Sequence, residues 1–306
     1  MSINAQFVHM LRSMPYIIDL AKYDISKDDW KASVARAVDR IKKGKMTLSN
    51  VSAYLYLFDK MTGKKGERDI RYVFIDEVQD YTPFQLAFLK FSFPRARFTL
   101  LGDLNQAIFT KENSHTLLSE LSTMFDPEKT RVVQLTQSYR STQQITDFTR
   151  HILVNGEAVT AFDREGQLPN VTLAADEQGE LQALIKQVDQ NNQDKETTAI
   201  IGKTLKQCRA LAKQLKEAGV RATLIQSENQ RLASGVIIVP SFLAKGLEFD
   251  AVIVWEASDE NYFEEDDRQL LYTICSRAMH RLTVLADGKL SRLLETVPAE
   301  EYILNK

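Results

Sequence analysis

The chain of 306 residues places two adjacent carboxylates, Asp76 and Glu77, directly after the short apolar run Tyr72-Val73-Phe74-Ile75. At the carboxyl edge of a parallel sheet, where α/β proteins bind ligands, an adjacent acid pair suits divalent-metal chemistry. One acid holds Mg2+ and the next polarises a water. Taken alone, a helix cap explains such a pair equally well; the full string Asp76-Glu77-Val78-Gln79-Asp80 is more specific. A second run, Phe98–Leu101, ends in Gly102-Asp103-Leu104-Asn105-Gln106. Glycine permits a tight turn there, and Gln106 offers an amide to a phosphate oxygen or a water; a turn capped by Asp103 is the competing reading. A third run, Val132–Leu135, leads to Ser138-Tyr139-Arg140-Ser141, where an arginine neutralises phosphate charge while the neighbouring ring stacks on a base. Lys245-Gly246-Leu247-Glu248-Phe249 precedes the run Ala251–Val254, and Leu270–Ala278 fits a helix carrying Arg277 in its C-terminal part. A guanidinium at that position also complements a helix dipole.

These residues need a scaffold, and the texture of the sequence changes at Tyr72. Before it the chain reads as helical. Ser26 and Asp29 form a capping box, and Trp30, Val34, Ala37, Val38 and Ile41 make one buried stripe that Gly44 ends. A second helix spans about Ser49 to Met61 and stops at Gly63. From Tyr72 onward short apolar strands alternate with helices. Beyond those already named, the strands are Val171–Leu173, Thr198–Ile201, Ala222–Ile225, Val236–Val239 and Leu282–Leu285. The intervening helices include Glu177–Gln190, Leu205–Ala218 and Arg268–Ala278. That alternation predicts parallel sheets with helices on both faces. The length fits two domains, with a boundary near residues 136–141.

Composition narrows the class. Hydrophobic residues are 44% and charged residues 26%, with a formal net charge of −2, the balance of a folded globular protein. Residues 1–71 carry +6 and the remainder −8. The basic segment suits nucleic acid, although the run Lys42-Lys43-Gly44-Lys45 is short enough to be a solvated helix face. No apolar run approaches the roughly 20 residues of a membrane span, and the start lacks a secretion signal, so a cytoplasmic location without membrane contact is expected. Cys208 and Cys275 read as small buried hydrophobes, and the four histidines show no metal-ligand spacing.

Five strings, in order, resemble motifs II to VI of the UvrD/Rep-type superfamily 1 helicases. They are Asp76–Asp80, Gly102–Gln106, Gln137–Ser141, Ala244–Phe249 and Leu270–Ala278, and the resemblance covers about residues 65–290. Leu55–Phe58, Asp76–Gln85 and Phe93–Arg97 are more closely similar to the HelD type, helicase-like factors that recycle bacterial RNA polymerase. The resemblance implies two RecA-like parallel-sheet domains. A helical segment at 1–71 would precede an incomplete first motor domain at 72–137, lacking its P-loop portion, and a second motor domain at 138–306. It implies ATP and Mg2+ as cofactors, with nucleotide in the cleft between the domains. Asp76 would hold the metal, Glu77 activate water and Gln106 report the γ-phosphate. Tyr139 would stack on adenine, Lys245 and Gly246 line the nucleotide and Glu248 bind the ribose, while Arg140 and Arg277 act as arginine fingers.

The departures from the family pattern are informative. No Gly-x-x-x-x-Gly-Lys-Ser/Thr loop occurs. Gly202-Lys203-Thr204 comes nearest, but Thr197 stands at the first glycine position and the order is wrong. The P-loop is therefore expected on a missing N-terminal half. Thr110–Asn113 replaces the usual aromatic-plus-arginine track, and Pro240 and Phe242 replace the Thr and His of motif V. Thinned DNA contacts beside intact nucleotide residues favour an ATP-driven remodeller of DNA–RNA polymerase complexes. The competing readings are a 3′–5′ DNA repair helicase and a non-catalytic polymerase-docking module. A nuclease-fused subunit is disfavoured, because no carboxylate–lysine cluster follows residue 290.

Overall fold

A computed structural model describes residues 2–64, 66–103, 121–133, 135, 137–153, 160–161, 164–193, 197–228, 230 and 234–306. These form two compact units. The first holds the described residues up to Gly102 and from 121 to Asp126; the second holds Asp103 and the described residues from Pro127 onward.

The first unit begins with three helices, α1 (Ile3–Ile17), α2 (Lys27–Lys42) and α3 (Leu48–Thr62). Ser26 caps α2 by accepting the Asp29 N–H, and its hydroxyl donates to Asp29 Oδ2 at 2.6 Å, so this box closes through the two side chains. Gly63 ends α3 at φ 72, in the left-handed region where glycine carries no Cβ penalty. Phe7, Leu11, Val34 and Ala37 are the buried centre of this helical cluster. The apolar runs then give β1 (Tyr72–Ile75) and β2 (Arg97–Leu100), paired in parallel, with α4 (Pro83–Ser92) as their crossover. Thr82 and Gln85 form a reciprocal capping box at the start of α4. Tyr56 of α3 packs edge-on against Phe84, Phe88 and Phe91.

The second unit contains the pair β3 (Gln137–Ser138) and β4 (Thr160–Ala161), with α5 (Gln143–Arg150) between them. Its body is a seven-stranded parallel sheet. The strands are β5 (Asn170–Ala174), β6 (Thr198–Gly202), β7 (Thr223–Leu224), β8 (Val236–Pro240), β9 (Phe249–Val254), β10 (Ala278–Asp287) and β11 (Ile303–Asn305). Their order is β11-β5-β10-β9-β6-β8-β7, all neighbours parallel. The continuous apolar runs reflect burial on both faces. Ile200, Ile238 and Ile253 face α6 (Glu177–Gln193) and α7 (Leu205–Glu217), whereas Ala199, Ile201, Val239 and Val254 share a core with α5 and α9 (Asp267–Cys275). A one-turn helix, α8 (Ser241–Ala244), follows β8. Both cysteines are free and buried, and burial pushes the Cys208 thiol up to about 11.

Among the described residues of the expected strand Val132–Leu135, none lies in a strand. Val132, Val133 and Leu135 are 77%, 64% and 88% exposed without strand pairing, and the ladder begins two residues later at Gln137. An apolar run becomes a strand only where a neighbour takes its backbone hydrogen bonds. Gly202-Lys203-Thr204 is a capped turn: Thr204 and Gln207 form the capping box of α7, and Lys203 Nζ pairs with Asp267 Oδ1 at 2.7 Å.

Candidate functional site

In the first unit the acids lie at the carboxyl end of β1. Val78 N–H donates to Leu101 O (2.9 Å) and Leu101 N–H to Ile75 O (2.8 Å), which ties the turn after β1 to the end of β2. Glu77 occupies the left-handed region at φ 51 and ψ 45. A residue with a Cβ carries a cost of about 1–2 kcal/mol there. Local hydrogen bonds support the strained backbone: Glu77 N–H donates to Asp76 Oδ1 at 2.8 Å, and Gln79 Nε2 donates to Glu77 Oε2 at 2.5 Å. Asp76 is exposed, Glu77 half-buried and Gln79 buried. The arrangement offers oxygen donors of the kind Mg2+ prefers, beside a second carboxylate of fixed orientation. Gln106 lies outside the described residues.

In the second unit three distant strings converge. Arg140 Nε donates to Glu248 Oε1 at 2.5 Å, with both side chains part-exposed. Ser141 Oγ donates to Ala278 O at 2.6 Å, and Phe249 N–H donates to Arg277 O at 3.0 Å. Gly246 turns at φ 75 between Lys245 and Leu247. Tyr139 is 65% exposed, and its hydroxyl donates to Gln137 Oε1. Arg277 differs from the expectation of a presented finger: it is 1% exposed, two residues past α9. Its guanidinium donates to Thr273 O at 2.9 Å and Ser276 Oγ at 3.2 Å, with Leu247 O at 3.5 Å. Those bonds hold Arg277 against the end of its own helix and tie it to the Lys245–Glu248 loop.

Sequence reasoning missed a second polar cluster, at the ends of β6 and β9. Glu256 has φ 54, accepts from Trp255 Nε1 (3.1 Å) and Gln207 Nε2 (2.7 Å), and its N–H donates to Glu180 Oε1 (3.0 Å). Burial pushes the Glu180 carboxyl up to about 8, against the lowering effect of the Glu256 N–H, and Asp287, Glu256 and Glu177 raise it further. The available signal was the position of Glu180 on the stripe it shares with Leu184 and Val188.

Residues 46–126 match the UvrD/REP helicase N-terminal domain, and residues 133–232 and 235–285 match UvrD-like helicase C-terminal domains. The crystal structure of the C-terminal domain of a possible DNA helicase from Lactobacillus plantarum WCFS1 is 58% identical. The match covers 99% of that chain and 55% of this one, with a TM-score of 0.50. The chain belongs to the UvrD/REP helicase family. A UvrD/REP core accounts for the parallel-sheet architecture and for the order of the five strings. Saccharomyces cerevisiae Dbp5 bound to RNA and ADP BeF3 is 12% identical over 80% of this chain and 59% of its own, with a TM-score of 0.47. No curated protein matches the chain. Among the described residues, no helix is long and apolar enough to cross a membrane, and no His/Cys/Asp/Glu group has metal-binding geometry.

Proposed function

We propose that this chain is the ATP-hydrolysing core portion of a superfamily 1 DNA helicase or translocase of the cytoplasm, with 1–71 a helical segment, 72–137 part of the first motor domain and 138–306 the second. The observation that carries the reading is the convergence of three strings far apart in sequence: Arg140 pairs with Glu248, Ser141 Oγ donates to Ala278 O, and the Phe249 N–H donates to Arg277 O. The part-exposed pair Arg140–Glu248 suits phosphoryl transfer, which is catalysed mainly by positioning and charge neutralisation.

Asp76 fits a Mg2+ ligand by its oxygen chemistry and its exposure beyond β1. Mg2+ supplies charge compensation on the phosphates when bound. Glu77 takes the proton of the attacking water, and Gln106 senses the γ-phosphate. Tyr139 stacks on the base, Lys245 and Gly246 line the nucleotide, and Arg140 neutralises the transferring phosphoryl, joined by Arg277 only when its guanidinium leaves Thr273 O. Glu248 serves the ribose, so nucleotide and Arg140 compete for its carboxylate.

The P-loop is assigned to sequence outside the chain. Tyr72 and Phe74 support this: they are 63% and 71% exposed on one face of a two-stranded parallel sheet, an architecture ordinarily covered on both faces. The partner reading is remodelling of RNA polymerase on DNA, in the manner of HelD, supported by the strings around Leu55 and Asp76 and by Pro240 and Phe242 in motif V. A non-catalytic docking module is the second reading, favoured by the burial of Arg277.

The test is Mg·ATP hydrolysis by the chain joined to its P-loop segment, with RNA polymerase or single-stranded DNA added. Stimulation by polymerase without duplex unwinding is expected, and Glu77→Gln removes turnover. Unwinding moves the assignment to a repair helicase, and absence of any turnover moves it to the docking module.

A further inference from the structure

The turn after β1 and the glycine after β2 make contact through one side chain. Gln79 is 1% exposed and belongs to the 3-10 turn Val78–Asp80, and its amide nitrogen lies 2.5 Å from Glu77 Oε2. The same amide lies against Gly102. A Cβ added at Gly102 would sit 2.3 Å from Gln79 Oε1, 2.9 Å from Val78 Cγ1 and 3.1 Å from Val78 N. The first distance is far inside any real contact, and the atom that has to move is the end of a side chain. Gly102 is not in the left-handed region, so backbone conformation gives no reason for glycine there. The reason is the space that Gln79 fills.

We infer that Gln79 is the positioning residue of Glu77, and that Gly102 is glycine in order to keep the Gln79 amide on the Glu77 carboxylate. The inference rests on the reading of Glu77 as the water-activating group. A neutral N–H donor on one oxygen of a carboxylate fixes its rotation without adding charge. Glu77 needs such support more than most carboxylates, because its backbone occupies a conformation that few residues with a Cβ adopt. The glycine that opens the second string therefore acts on the acid of the first, through an amide rather than by touching ligand. Supporting shells of this kind hold reacting groups to within fractions of an ångström, and misplacement by about 1 Å costs on the order of 100-fold in rate.

The experiment uses Gln79→Met, which keeps the length and apolar volume of the side chain but removes the donor, together with Gly102→Ala, Gln79→Ala and the double variant. The chain labelled with 15N-glutamine and 13C-glutamate needs no nucleotide. Its Gln79 side-chain amide protons are expected to exchange slowly, Gly102→Ala to speed that exchange at least ~10-fold, and Gln79→Met to shift the Glu77 carboxyl resonance while the Leu86 core signals stay in place. In the P-loop-joined protein, Gln79→Met and Gly102→Ala are each expected to lower kcat by ~10- to 100-fold with KM for ATP within twofold. Gly102→Ala should add little once Gln79 is alanine. A Glu77 resonance unmoved by Gln79→Met, or additive losses in the double variant, overturns the inference. Turnover that survives Glu77→Gln instead overturns the ATPase reading on which it rests, so the two failures are distinguishable.

Discussion

Glu180 makes the stability of the second unit depend on pH in a direction opposite to that of an ordinary paired carboxylate. Its side chain is 1% exposed, and Oε2 is buried without a hydrogen-bond partner. Burial, reinforced by Asp287, Glu256 and Glu177, raises the carboxyl from 4.5 to about 8. The unfolded chain releases this proton near 4.5 and the folded chain keeps it until about 8. The stabilisation is therefore complete below pH 4.5 and is lost as the pH rises through 8. The full separation corresponds to about 5 kcal/mol, of which roughly half falls between pH 6 and pH 9. Glu180→Gln keeps an oxygen for the Glu256 N–H and cannot ionise. The assay is thermal unfolding followed by Trp255 fluorescence in a Trp30→Phe background, since the chain has two tryptophans and Trp255 donates to Glu256. Between pH 6 and pH 9 the parent should lose ~5–10 °C more than Glu180→Gln. Parallel pH profiles for the two would refute the assignment of a retained proton to Glu180.

Lys203→Met leaves Asp267, whose side chain is 11% exposed, without its cation, and should destabilise the second unit by about 3 kcal/mol while ATP affinity stays unchanged; a specific loss of ATP affinity would restore the phosphate-loop reading of this turn. Ser141→Ala removes the 2.6 Å bond to Ala278 O and should cost about 1–2 kcal/mol in denaturant unfolding, because a buried carbonyl loses its donor. An effect below about 0.5 kcal/mol would show that water replaces the hydroxyl.

Much of the second unit was legible because strands buried on both faces leave unbroken apolar runs. Thr198–Gly202, Val236–Pro240 and Phe249–Val254 are of this kind, and each lies within two residues of its expected bounds. The short pair Gln137–Ser138 and Thr160–Ala161 left no such trace, and exposed valines at 132 and 133 imitated one. At the site, residue types and order were readable but orientation was not. Spacing indicates that Asp76 and Glu77 follow a strand. It does not reveal that Glu77 turns left-handed, that Gln79 lies buried beneath it, or that Arg277 folds back onto Thr273 O. Those features depend on contacts between residues remote in sequence, such as Gly102 with Gln79 and Ser141 with Ala278. Glu180 was visible as an acid on a buried stripe, but only the fold shows that its charged neighbours are other acids.

The central claim is that Glu77 activates the water that attacks ATP. Single-turnover hydrolysis of Mg·ATP by the P-loop-joined protein tests it directly, because binding and product release are separated from the chemical step. The account predicts that Glu77→Gln slows that step by ~100-fold or more while ATP binding is retained. An unchanged single-turnover rate in Glu77→Gln would contradict it.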